Sequence, residues 1–252
     1  MKKIIDINSD LGERPEALAN GSEEELIWHI SSANIACGGH AGDAQTMMKA
    51  IELCAKYGVA IGAHPGYPDR ENFGRVEMNL SAQEIELSVL AQVRTLVDLA
   101  QSVSCTVRHV KPHGALYNSA ASNPATARAI ARAVCGVDKS LILIGLAGSR
   151  MLEVWKNQGC HAAAEAFADR RYEPDGSLRS RAFADALITD PADAALQAVQ
   201  IARDGYAVAA DGARVPIDAR TLSIHSDTPN AIAIAGAVRD RLLREGVKIA
   251  PP

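Results

Sequence analysis

Val59-Ala60-Ile61-Gly62-Ala63-His64-Pro65-Gly66-Tyr67-Pro68-Asp69-Arg70 is the stretch whose reading decides the fold. Ala44 to Tyr57 before it has helical periodicity, with apolar residues at Met47, Met48, Ile51 and Ala55 and a closing Gly58. Val59 to Ala63 is then a short, wholly apolar run, the pattern of a parallel strand covered on both faces. It ends in a histidine and a rigid polar loop. Helix, glycine, buried strand and a chemically capable strand end together make one βα repeat.

Working outward, the same unit recurs. Apolar runs are expected at Lys3 to Asn8, Ala33 to Ala36, Thr106 to Val110, Leu141 to Leu146, His161 to Phe167 and Leu222 to His225. Helices are expected from Ser22 to Ser32, from the capping box at Ser81 to about Ser102, after Asn123-Pro124, from Met151 to Gln158, after Asp190-Pro191 and from Asn230 to Glu245. Asp211-Gly212, inside Tyr206 to Pro216, suggests a small hairpin insertion. Seven βα units with no linker between them predict one domain over residues 1–252. The expected architecture is a parallel βα barrel of seven or eight strands, with an open doubly wound sheet as the alternative. In either, all the strand ends share one face, so residues from position 8 to position 227 can converge on one pocket.

Composition narrows the function classes. The chain has 252 residues, 48% of them apolar and 22% charged, as in ordinary globular domains. Only 4% are aromatic, so the core is expected to rest on Ala, Val, Ile and Leu. A formal charge of −4 with no long run of one sign argues against nucleic acid or an anionic membrane as the main partner. Met1-Lys2-Lys3-Ile4-Ile5-Asp6 reads directly into a strand, and no apolar stretch approaches the roughly 18 residues of a membrane span. A cytoplasmic protein is expected. The five cysteines are widely spaced without a CxxC pair, which disfavours disulfides and a cysteine-based zinc site.

The strand ends carry the chemistry. Asn8-Ser9-Asp10-Leu11-Gly12-Glu13 crowds two carboxylates and an amide, suited to a metal or a general base, or simply to a turn capped by Asp10. Cys37-Gly38-Gly39-His40-Ala41-Gly42-Asp43 allows close backbone approach at a helix start, with Asp43 as a cap. Lys111 ends a buried strand, where an ammonium is costly unless it serves a charge, and His109 and His113 share its face. Gly145-Leu146-Ala147-Gly148-Ser149-Arg150 is a weak phosphate-loop candidate. Glu165 stands in an alanine-rich strand, and Asp169-Arg170-Arg171 reads as a self-paired surface loop. His225 closes the last run, with Asp227 or Thr228 as a cap for the following helix.

Five of these stretches, Asn8 to Glu13, Ala33 to Gly38, Gly62 to Pro65, Val110 to Tyr117 and His225 to Pro229, resemble the LamB/YcsF family in order over nearly the whole chain. Ser9, Gly39, Ala44 and Ser226 depart from the residues usual there, namely Cys, an aromatic, Pro and Gly; Ser9 argues against a catalytic thiol. The resemblance implies a seven-stranded barrel of the glycoside hydrolase/deacetylase type. It also implies ATP-dependent opening of 5-oxoproline to L-glutamate, with Mg²⁺ accompanying ATP and B and C subunits as partners.

For that reaction Lys111 and His113 are the candidates for charge stabilisation, with His64 beside them, and Asp10 or Glu165 for the base. Arg170 or Arg75 is the candidate clamp for the substrate carboxylate. Asn8, Glu13, His40, His225 and Asp227 are further substrate contacts, and Gly38, Gly145 and Gly148 the candidate nucleotide contacts. Two alternatives use the same residues. Asp10, His40 and His64 could hold one metal ion for amide hydrolysis without ATP, or the chain could be a non-catalytic substrate-binding subunit, self-associated or not.

Overall fold

The computed structural model describes residues 3–252; Met1-Lys2, read as leading into the strand expected from Lys3, lies outside them. In chain order the strands are β1 (Ile4–Leu11), β2 (Ser32–Ala36), β3 (Ala60–His64), β4 (Val107–Val110), β5 (Ile142–Leu146), β6 (His161–Phe167), β7 (Tyr206–Val208), β8 (Arg214–Pro216), β9 (Thr221–Ser223) and β10 (Lys248–Ile249). The helices are α1 (Pro15–Ala19), α2 (Ser22–Ile27), α3 (Ala44–Tyr57), α4 (Ala82–Ser102), α5 (Gly114–Ser122), α6 (Pro124–Val137), α7 (Arg150–Asn157), α8 (Pro191–Val199) and α9 (Ala231–Arg244), with a π-turn, Gln200–Asp204, prolonging α8.

Strands β1-β2-β3-β4-β5-β6-β9 pair in parallel, and β1 pairs with β9 to close the sheet into a seven-stranded barrel ringed by helices. The short β10 adds in parallel to the beginning of β1, beside the barrel. The expected hairpin is β7-β8, antiparallel and set apart from the barrel. Among the described residues no helix is long and apolar enough to cross a membrane.

Alternation along the strands explains the packing. In β1, Ile5, Ile7 and Leu11 join the apolar layer under the helices, while Asp6, Asn8 and Asp10 are equally buried but hydrogen-bond across the lumen. β2 places Ser32 and Asn34 inside in the same way. The expectation of an aliphatic core therefore holds for the outer layer only. The lumen is polar, and its side chains bond in tiers: Asp6 accepts from Ser31, Ser32 and Thr221 at 2.5–2.7 Å, and Asn34 donates to Asn8 and Asp10, both at 2.8 Å. Paired in this way, buried polar groups avoid the cost of unmet hydrogen bonds. Gly62 belongs to this interior, because a β-carbon there would collide with the imidazole of His109.

Several boundaries differ from those expected. β1 continues three residues beyond Asn8, pairing with β2 through Leu11, so Asp10 is a strand residue and not a turn cap. α2 stops at Ile27, ahead of the expected Ser32, because β2 begins at Ser32. α5 was not expected, and it carries Tyr117. The cap expected from Asp227 or Thr228 is absent: Asn230, with φ of 65° and no side-chain cap, precedes α9. Asp43 does cap α3, in a capping box with Thr46.

Candidate active site at the barrel mouth

A cavity of about 1050 Å³ opens at the carboxyl ends of the barrel strands. Asp10, Glu13, His64, Lys111 and His113 lie at its base, and Arg75, Arg170, Arg181, His225 and Asp227 line it farther along the chain's loops. Gly148 and Ser149 border it as well. A second cavity, about 660 Å³, lies between α2 and the start of α9 and holds none of the expected catalytic residues.

Lys111 is the pivot of the floor. Its Nζ is 3.0 Å from Glu165 Oε1 and 3.3 Å from Asp10 Oδ1, and donates to Ser223 Oγ at 2.8 Å and Asn8 Oδ1 at 3.2 Å. Burial lowers the pKa of a lysine, but Asp10 and Glu165 outweigh it, and Lys111 is held above its ordinary value. Glu165 is fully buried and fully engaged. Oε1 accepts from Asn8 Nδ2 at 2.9 Å as well as from Lys111, and Oε2 accepts from Tyr117 Oη at 2.9 Å. It does not line the cavity, so this geometry gives Glu165 the part of anchoring Lys111, not of a base open to substrate.

Asp10 is differently placed. Oδ1 accepts from Asn34 and Lys111, and the side chain reaches the cavity. Burial pushes its carboxyl up, but the charges of His64 and Lys111 outweigh burial and hold it well below the usual carboxylate range. Lys111 supplies the part of that effect that persists at neutral pH, because burial takes His64 down to about 3. Glu13 is also held well below its ordinary value: a proton on His113 Nδ1 or on His40 Nε2, directed at its Oε1, would overcome burial.

Beside Asp10 and Glu13 stand three histidines. His64 Nδ1 donates to the Lys111 carbonyl at 2.7 Å, and His113 Nε2 donates to the Phe73 carbonyl at 2.9 Å. A carbonyl only accepts, so each neutral ring presents its other nitrogen as a lone pair. Those nitrogens, His64 Nε2 and His113 Nδ1, are 3.0 Å apart, and Glu13 Oε1 is 3.7 Å and 3.2 Å from them. His40 Nε2 lies 3.0 Å from the same oxygen, and its ring stacks on His113 at 3.6 Å between centroids. Glu13, His40, His64 and His113 thus offer four ligand atoms, all within 4.8 Å of one another. Converging acceptors with backbone-fixed tautomers suit a divalent cation. This set keeps His40 and His64 from the expected metal trio, adds Glu13 and His113, and leaves Asp10 at its edge, 3.5 Å from His64.

The remaining candidates fall apart from the floor. Gly145 does not serve as a phosphate cradle: a β-carbon there would collide with Met151 and lie 2.6 Å from Trp155, so it permits β5 to pack on α7. The Gly38 carbonyl is bonded by Arg70, and Gly38 does not line the cavity. Only Gly148 of the three does. Cys37 is buried, bonded to Ile35 and His64, and burial pushes its thiol up to about 12, leaving no nucleophile. Asp169 is not on a surface loop. It is fully buried and accepts from the His225 backbone and ring, each at 3.0 Å, and from Thr228 Oγ1 at 2.6 Å. Asp227 pairs with Arg75 and Arg181 at the rim.

Asn34, Ser223, Tyr117 and Arg181 have places here that the sequence reading gave no role. For Ser223 the signal was present: Thr221, Ser223 and His225 alternate with apolar residues and so face the lumen together.

Comparison with known proteins agrees with this architecture. The LamB/YcsF family profile matches residues 5–252. The chain is 48% identical to the A subunit of 5-oxoprolinase from Chloroflexus aurantiacus over 98% of both chains. It is 44% identical to the protein of the same name from Acinetobacter baylyi, over 97% of this chain and 96% of that one. The crystal structure of a lactam utilization protein from Thermus thermophilus superposes with a TM-score of 0.92 at 42% identity, covering 99% of each chain. This chain belongs to the LamB/YcsF family.

Proposed function

We propose that the chain is the A subunit of a 5-oxoprolinase. In this reading it works with B and C subunits to open the lactam of 5-oxoproline to L-glutamate at the expense of ATP, with Mg²⁺ accompanying the nucleotide. The observation that carries the proposal is near-full-length identity of 42–48% to relatives named as the A subunit of 5-oxoprolinase, in a chain whose strand-end residues form one cavity floor. Of the glycines proposed for the nucleotide only Gly148 lines the cavity, and the steps assigned to this chain concern the lactam alone.

The lactam is a resonance-stabilised amide, so the site must favour charge on its oxygen and deliver water to its carbon. Two ionised carboxylates and neutral histidine lone pairs at the floor can orient that water and accept its proton. Asp10 is the candidate with a side chain open to the cavity; Lys111 keeps it ionised and fixed. Asp10, held low by neighbouring positive charge, and His64, held low by burial, are both weak bases at rest, so either takes up the proton only as charge develops on the attacking water. Three carboxylates, Asp10, Glu13 and Glu165, face one ammonium at the floor, an excess of negative charge that a cation held by Glu13, His40, His64 and His113 would balance. When bound there, such an ion would polarise the amide oxygen or acidify a water.

That donor set favours a second reading, hydrolysis of an amide without ATP. Glutamate release from 5-oxoproline, measured with and without ATP and with and without B and C subunits, decides between the two. ATP-dependent glutamate in the full mixture supports the first; ATP-independent release by the isolated chain replaces it with the second; no release in any mixture sinks both for 5-oxoproline.

A further inference from the structure

One arginine in the cavity wall is not satisfied by its surroundings. Arg170 is only 7% exposed, yet among the described residues its guanidinium makes a single hydrogen bond, from Nη2 to the Arg179 carbonyl at 2.6 Å. Its Nε is buried without a partner among the described residues. It joins none of the ion pairs among them, whereas its neighbours Arg75 and Arg181 share the carboxylate of Asp227, at 2.5 Å and 3.3 Å. The guanidinium groups of Arg75, Arg170 and Arg181 therefore line the cavity wall with two carboxylates, Asp227 and Asp175, and Arg170 is the one of the three without an ion pair among the described residues. An uncompensated buried charge is costly, and chains keep one where it meets a ligand of opposite sign.

The polarity of the cavity supports that. Its floor is rich in carboxylates and its upper wall in arginines, so an anionic molecule entering is turned with its negative group away from Asp10 and Glu13. Burial and the nearby Arg181 already pull the pKa of Arg170 below the ordinary arginine value, the direction expected for a cation short of a counter-charge. The planar fork of a guanidinium matches the oxygens of a carboxylate or a phosphate.

We propose that Arg170, flanked by Arg181 and Arg75, is an oxyanion subsite that orients the ligand over the catalytic floor. The proposal deepens the 5-oxoprolinase reading, on which its choice of ligands rests. A planar oxyanion could come from the carboxylate of the lactam or from a phosphoryl group, and the test separates the two.

The test is calorimetric binding to the full chain of 5-oxoproline, of 2-pyrrolidinone (the same lactam without its carboxylate) and of inorganic phosphate. Wild type is compared with Arg170→Met, which keeps an apolar stem and removes the buried charge, and with Arg181→Gln, a less buried change. The expected result is that wild type binds 5-oxoproline or phosphate, and that both variants bind that anion at least tenfold more weakly. A carboxylate subsite shows the loss with 5-oxoproline and wild-type behaviour toward 2-pyrrolidinone; a phosphoryl subsite shows it with phosphate. Wild type that binds neither anion, or a folded Arg170→Met that binds both as tightly as wild type, overturns the proposal. Turnover tells the two claims apart. Arg170-dependent anion binding without glutamate release in the full mixture leaves the subsite and removes the oxoprolinase reading. Glutamate release with KM for both 5-oxoproline and ATP unchanged in Arg170→Met does the reverse.

Discussion

His64 Nε2 and His113 Nδ1 face each other at 3.0 Å while the opposite nitrogen of each ring is committed to a backbone carbonyl. Two neutral rings held this way present lone pair to lone pair, with Glu13 Oε1 as a third acceptor. A shared proton or a metal ion resolves the repulsion. Metal is the expected answer: protein stripped with chelator should take up about one divalent ion per chain in calorimetry. His64→Ala and His113→Ala should each weaken uptake by about tenfold or more, the least expected when a ligand is lost and even its outer-shell support is worth about that much. Stripped wild type that takes up no Zn²⁺, Mn²⁺ or Mg²⁺ would leave the shared proton as the answer.

Lys111 should matter to folding as much as to chemistry. It stands between two buried carboxylates, so Lys111→Met leaves both uncompensated. The expected cost is about 3–5 kcal/mol, read as a lowered denaturation midpoint. Pairing Lys111→Met with Glu165→Gln should recover part of that loss, because one of the stranded charges is then gone. Equal stability of the single and double variants would show that Glu165 is not its counter-ion.

Gly62 offers a purely steric check. A β-carbon there meets the imidazole of His109, which in turn holds Asn34 at 2.9 Å in the lumen network. Gly62→Ala should destabilise by about 1–3 kcal/mol, the usual range for overpacking a filled core. Thermal unfolding that is unchanged would contradict the tight lumen.

Acid should unfold the chain earlier than its carboxylates alone require. His64 and His109 are both pushed from 6.5 to about 3 by burial, helped at His109 by Lys111. Between those values the unfolded state binds more protons, so stability falls as pH drops from about 6.5 towards 3. Asp10 and Glu13, held below their ordinary values, add to the loss below about pH 4. Glu23 works in the other direction: burial raises it to about 7, so its contribution is full at acid pH and lost as pH rises through 7. With His40 also lowered by burial, three histidines outnumber the two carboxyls that burial raises, Glu23 and Asp6, and the net slope should be a decline toward acid. Glu23→Gln should keep the bond from Gly12 and steepen the decline toward acid between about pH 7 and 4.5. A midpoint constant from pH 7 to 4 would contradict the histidine assignment.

Much of the barrel was legible because parallel strands buried on both sides leave an apolar run, and some helices announced their caps, as Asp43 and Ser81 did. The convergence of Asp10, Glu13, His40, His64, Lys111 and His113 followed from their places at strand ends. Partner choice did not. Whether Glu165 would be open or enclosed depended on Tyr117, in a helix hidden behind Pro112-His113-Gly114, and on Asn8 from a strand 157 residues away. Asp169 looked solvated beside two arginines, yet its partners are His225 and Thr228, 56 and 59 residues on. Period-two alternation of polar residues in β1 and β9 was the overlooked clue to the polar lumen.

The central claim is that lactam opening takes place over Asp10, and the most direct measurement is the initial rate of ATP-dependent glutamate release from 5-oxoproline by wild type and Asp10→Asn, each mixed with B and C subunits. Removing a positioned acid–base group costs about 10²- to 10⁴-fold, so Asp10→Asn should lose at least about a hundredfold in kcat while remaining folded. A folded Asp10→Asn variant that releases glutamate at the wild-type rate would contradict the account.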